Sequence, residues 1–185
     1  GKAGLQKVVR EGAWRGAERG RRGVETGVAG LSIEDSTGDK KRPLYDLDHA
    51  IARIRAARGT IDQSGSDVML IGRAECYLVG VPEIEEVVRR LKAYADAGAD
   101  CLYAPGIGTR EEITAIVTAV APKPVNVLVG GATGQTINVL AALGVRRVSV
   151  GGALARAAWG GFMQAAKVLS ETGCFEWFKD TAPHN

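Results

Sequence analysis

A parallel α/β fold of the (β/α)8 barrel class is what this sequence predicts, on three observations. Short, nearly all-apolar runs alternate with amphipathic stretches, as expected of strands covered on both faces. From one run to the next lie roughly 22 to 40 residues, enough for a strand, a crossover helix and their loops. Several runs end in Gly, acid or Arg, the residue types that α/β enzymes carry at the carboxyl ends of strands. A doubly wound sheet shares this alternation. The barrel is preferred because no Gly-rich dinucleotide turn follows the first run and because several strand ends carry candidate site residues.

The predicted strands are residues 30–33, 68–72, 101–104, 125–129 and 147–150. Between them, Leu47, Ile51 and Ile54 recur at helical spacing, with Arg53, Arg55 and Arg58 falling mostly on other faces. Ile84, Val87, Val88, Leu91 and Tyr94 repeat the pattern after Pro82. Thr109 and Glu112 make a capping box ahead of Ile113, Ile116 and Val117. Ile137, Leu140 and Leu143 mark a short helix stopped at Gly144, and a last helix runs from near Ala153 to Gly173. Residues 1–27 fit poorly, because Gly12, Gly16, Gly20 and Gly23 each weaken a helix by about 1 kcal/mol relative to Ala. Only residues 21–27 read as a normal helix end leading into a strand, which divides the chain into an atypical segment 1–27 and a partial barrel 28–185. Five strands do not close an eight-stranded barrel, so about three further units are expected before Gly30.

With 185 residues, 45% of them hydrophobic and 24% charged, the chain suits one globular domain. A net charge of +3 demands neither nucleic acid nor an anionic membrane as partner. Its excess lies near the start, where Arg10, Arg15, Arg19, Arg21 and Arg22 outnumber the acids. Without an aromatic ladder this reads as a solvated helix face. Cys76, Cys101 and Cys174 lack CxxC or His-paired spacing, which argues against a disulfide framework and structural zinc and suits a reducing, cytoplasmic setting. No apolar run approaches a membrane span, and the start lacks an apolar signal core.

Candidate chemistry lies at the strand ends. Glu34 and Asp35 follow the first run and project to opposite sides of an extended chain. A carboxylate at that rim can ligate Mg²⁺, or the two acids can cap and stabilise the loop. Arg73 and Glu75, two residues apart, share one side, either as a catalytic pair gripping a substrate carboxylate or as a structural ion pair. The loop Ser36, Thr37, Gly38, Asp39, Lys40, Lys41, Arg42 and on to Tyr45 is polar and basic, either a lid for an anionic substrate or a solvated connection. Gly130-Gly131 and Gly151-Gly152 follow the last two strands, where paired amides can bind phosphate or permit tight turns. His49 and His184 are not placed as a general base, and the aromatic tail Phe175, Trp177 and Phe178 reads as a packing or partner surface.

Three segments taken in order carry a resemblance: Gly30-Leu31-Ser32-Ile33-Glu34-Asp35-Ser36, Gly72-Arg73-Ala74-Glu75, and Gly144 through Ala153-Leu154. Together they resemble the isocitrate lyase and phosphoenolpyruvate mutase superfamily, in its phosphonomutase-like and carboxyvinyl-carboxyphosphonate phosphorylmutase-like branch, over about residue 21 to the end. The resemblance implies a (β/α)8 barrel with Mg²⁺ (or Mn²⁺) at the strands' carboxyl ends. It also implies cleavage or formation of C–C or P–C bonds in small 2-oxo or 2-hydroxy carboxylates through an enolate-like intermediate. It assigns Glu34 to the metal shell, where Asp35 is the second candidate ligand from its place at the strand end, Arg73 to the substrate carboxylate, and residues 36–45 to a gating loop. It further implies a homo-oligomer that exchanges its last helix. Two departures stand out. The segment Asp39-Lys40-Lys41-Arg42-Pro43 lacks the Cys and His of the lyases' Lys-(Lys/Arg)-Cys-Gly-His loop, and the family's principal metal aspartates fall on strands before Gly30.

Overall fold

The five apolar runs pair side by side, in chain order, as one parallel sheet. Its strands are β1 (Gly30–Glu34), β2 (Met69–Arg73), β3 (Cys101–Tyr103), β4 (Val125–Leu128) and β5 (Arg147–Ser149). They lie within a residue or two of the predicted runs. β3 stops at Tyr103, just before Ala104 and Pro105, whose ring nitrogen has no hydrogen to give the ladder. The structure is a computed structural model that describes residues 2–182, with side chains described from Trp14 onward except that of Asp180. His184 lies outside the described residues.

Each crossover is helical: α2 (Leu47–Ser64), α3 (Ile84–Asp96), α4 (Arg110–Val120) and α5 (Ile137–Ala142). Their ends follow local chemistry. The Thr109 hydroxyl accepts from the Glu112 amide while the Glu112 carboxylate accepts from the Thr109 amide, which completes the capping box of α4. α2 stops at Gly65, whose φ of 68° is left-handed and disfavours any side chain. On the helix-covered side of the sheet Leu70, Leu102, Val125 and Val127 are buried with Val87, Leu91, Ile113 and Ile116. Ile71, Cys101 and Tyr103 pack together on the opposite face, with Leu128 against them.

The glycine-rich start departs from expectation. It forms one helix, α1 (Lys2–Thr26), packed along α2. Propensity counts the glycines only as a weakness, whereas here their missing side chains set the helix separation. A Cβ on Gly20 would stand 2.9 Å from the Ala57 carbonyl oxygen, and one on Gly16 would run into the Arg53 carbonyl. Gly20→Ala is therefore expected to destabilise the protein by about 1–3 kcal/mol through overpacking, although an exposed Gly→Ala in a helix stabilises; urea denaturation distinguishes the signs. Arg53 is a second departure, because it is buried rather than displayed on an outer face.

A second compact unit comprises Val129–Thr133 and the segment from Val150 onward. Its helix α6 (Ala153–Thr172) has no buried residue and ends at Gly173, with φ of 66°. Leu154, Trp159, Phe162 and Met163 stand exposed along it, and Phe175 and Phe178 follow. No helix among the described residues is long and apolar enough to cross a membrane.

All three cysteines are free, Cys76 and Cys101 buried and Cys174 partly accessible. Burial pushes the Cys76 thiol up to about 12 and also raises that of Cys101. One thiol is expected to react with Ellman's reagent in the native protein and three in denaturant. Rapid reaction of a second native thiol would contradict this burial.

Candidate active site

Parallel register places five polar side chains in one row across the sheet. Glu34 is opposite Arg73, Arg73 opposite Tyr103, Tyr103 opposite Asn126, and Asn126 opposite Arg147. Residues opposite each other point to the same face, so the row lies on the face that holds Ile71, Cys101 and Tyr103. Three of the four adjacent pairs interact. Arg73 Nη1 is 3.5 Å from the Glu34 carboxylate, and the Arg73 guanidinium lies 5.2 Å from the centre of the Tyr103 ring. Asn126, fully buried, accepts from Arg147 Nη1 at 2.9 Å and donates to the Ser149 hydroxyl at 3.0 Å.

Arg73 is held by two carboxylates. Its Nε donates to the buried Glu75 carboxylate, as expected for side chains two residues apart in an extended segment. Burial works against the guanidinium's charge, but Glu75 and Glu34 outweigh it and raise the Arg73 pKa. Burial also pushes Glu75 above the usual carboxylate range, an effect that the Arg73 pair only partly offsets. Nη2 makes no hydrogen bond to the described residues, so the fork keeps donor capacity beside Glu34 and over Tyr103.

Asp35 behaves differently from its neighbour. Glu34 and Asp35 do project to opposite sides, and Asp35 turns into the protein, where it is 1% exposed. One of its oxygens accepts from the Glu75 amide at 2.8 Å. The other accepts from Tyr94 Oη at 2.5 Å and Arg90 Nη1 at 3.1 Å. Arg90 Nη1 also reaches the Tyr45 carbonyl at 3.0 Å, where the 36–45 loop ends. Both Asp35 oxygens, expected as metal ligands, are engaged by protein donors. Burial and the adjacent Asp35 charge push the Tyr94 phenol up, so it remains a donor.

Residues 36–45 fold back on themselves. Ser36 and Leu44 form an antiparallel bridge, Thr37 N–H donates to the Pro43 carbonyl at 2.9 Å, and Gly38 turns the chain at φ of 78°. A cavity of about 320 Å³ lies between this loop, at Ser36, Gly38, Asp39 and Lys40, and Leu78 and Val79. Lys40, Lys41 and Arg42 are exposed. His49 stacks on Tyr45 with ring centres 4.5 Å apart, and burial, with Arg53 nearby, lowers its pKa. Gly130 and Gly131 lie in the second unit, where the Gly130 carbonyl accepts from Arg156.

The donor set does not fit a complete Mg²⁺ or Mn²⁺ site. Asp35 is engaged, Glu75 holds Arg73, and among the described residues no group of three or more His, Cys, Asp or Glu gathers. Glu34 alone, its side chain 37% exposed, offers a carboxylate, fewer ligands than either ion needs.

The sequence profile described as phosphoenolpyruvate phosphomutase matches residues 15–170. The chain belongs to that family. Among relatives in this family is an oxaloacetate decarboxylase of Bradyrhizobium sp. strain ORS 278, 31% identical over 130 residues, which are 67% of this chain and 42% of that protein. A solved structure from Burkholderia cenocepacia J2315, provisionally assigned as a lyase/mutase, superposes with a TM-score of 0.84 at 45% identity, covering 90% of this chain and 60% of that one. An oxaloacetate acetylhydrolase solved with the product oxalate gives 0.77 at 28% identity, covering 90% and 57%. The chain thus spans under two thirds of each relative's length. Its five strand–helix units are those of the phosphoenolpyruvate phosphomutase barrel, so the polar row lies on the barrel's inner face.

Proposed function

We propose that this chain carries the carboxylate-binding side of a lyase or mutase site, acting on C–C or P–C bonds of small 2-oxo or 2-hydroxy carboxylates. The observation that carries this reading is Arg73: a guanidinium fixed by Glu75, backed by Tyr103, with a donor edge left open. Such a fork binds a carboxylate through parallel charge-assisted hydrogen bonds. It also stabilises the oxyanion that grows as an enolate forms, because its charge is already oriented in a partly buried site. Glu75 is assigned to holding Arg73, and the 36–45 loop to excluding water over the bound acid. Mg²⁺ or Mn²⁺ would polarise that oxyanion in a complete family site. The described residues do not form such a site. We assign the exposed apolar side of α6 to association between copies, and the cytoplasm as the compartment that suits three free thiols.

Oxaloacetate, 2,3-dimethylmalate and phosphonopyruvate, each assayed at high protein concentration, test the reading. Turnover of one of them, abolished by Arg73→Ala, is the expected result. Turnover that survives the substitution would overturn the assignment of Arg73.

A further inference from the structure

Arg53 is a buried cation that forms no ion pair within 4 Å among the described residues, although Glu34 and Asp35 act on it from farther off. It is 4% exposed, and its Nη1 donates to the Glu34 backbone carbonyl at 2.6 Å, while Nε has no hydrogen-bond partner among the described residues. The guanidinium also lies 4.7 Å from the centre of the Tyr45 ring, a contact that supplies no negative charge. It borders a cavity of about 390 Å³ between α1 and the end of β1, walled by Trp14, Arg15, Arg19, Arg22 and Tyr45. Two carboxylates face the same space, and both are engaged: Glu18 by Arg21 and Arg22, and Glu34 by Arg73. Among the described residues neither Arg15 nor Arg19 pairs with an acid, so three guanidinium groups without a described ion-pair partner border one cavity. Ser36 and Thr37 complete the rim with hydroxyl groups.

We propose that this cavity binds a phosphate-class oxyanion, free phosphate or the phosphoryl end of a phosphomonoester. Planar guanidinium forks suit the several oxygens of a phosphate, and a dianion offsets the charge that Arg53 holds out of water. The space accommodates such a group with room for bridging water. The cavity shares Glu34 and the start of the 36–45 loop with the Arg73 site but is lined by different cations: Arg53 meets β1 through the Glu34 backbone, while Arg73 meets the Glu34 side chain.

Calorimetric titration of the whole chain with inorganic phosphate, methyl phosphate and malonate tests the proposal. Saturable phosphate binding is expected, weakened by about tenfold or more in Arg53→Met and in the double variant Arg15→Ala/Arg19→Ala. The double variant alters only exposed side chains, so it remains informative if Arg53→Met fails to fold. Methyl phosphate binding as phosphate does assigns a phosphomonoester, and its exclusion assigns the free ion. The proposal is overturned if phosphate does not saturate the native chain, if the double variant binds it unchanged, or if malonate binds as tightly.

Discussion

Asp35→Ala is expected to lower the free energy of unfolding by about 3–5 kcal/mol, the range for removing one partner of a buried ion pair. The alanine leaves the Arg90 guanidinium, the Tyr94 hydroxyl and the Glu75 amide without their shared acceptor. Arg90 keeps its bonds to Glu86 and the Tyr45 carbonyl, so the loss is large without being unlimited. Asp35→Asn retains one acceptor oxygen and is expected to lose less, which separates the charge from the hydrogen bonds. Urea denaturation reads both. A change below about 1 kcal/mol for the alanine variant would show that the network does not anchor the ends of β1 and β2.

Arg73→Ala is expected to weaken binding of a small dicarboxylate by roughly 100-fold or more, since a charge-assisted hydrogen bond contributes about 1.5–3 kcal/mol and two are lost. Arg73→Lys restores the charge without the planar fork, and an intermediate loss of about tenfold is expected. If lysine binds as arginine does, the site reads charge alone. If alanine binds as arginine does, Arg73 is only the structural partner of Glu75. Thermal unfolding of each variant without ligand separates lost binding from lost fold, because Glu75 becomes a buried acid without its cation.

The strands were legible because each is a short apolar run bounded by turn residues, and parallel strands covered by helices need nothing else. α1 was not. Helix propensity is local, whereas the space that Gly16 and Gly20 leave is filled by α2, about forty residues on. The site divides the same way. Arg73 and Glu75 share a side by the two-residue period of an extended chain, which a sequence displays directly. The row through Tyr103, Asn126 and Arg147 depends on inter-strand register, which no stretch of sequence states. Asp35 looked like a rim carboxylate because its partners Arg90 and Tyr94 lie 55 and 59 residues away. Arg53 gave no sign of burial, since long basic side chains are mostly exposed.

Titration of the chain with oxalate, a planar two-carboxylate analogue of a pyruvate enolate, tests the central claim most directly when followed through the Arg73 side-chain NH resonance. Saturable binding is predicted, with that resonance and those of Tyr103 shifting together and the response disappearing in folded Arg73→Ala. Oxalate that leaves both signals unmoved, or that binds folded Arg73→Ala as tightly as the native chain, would contradict the account.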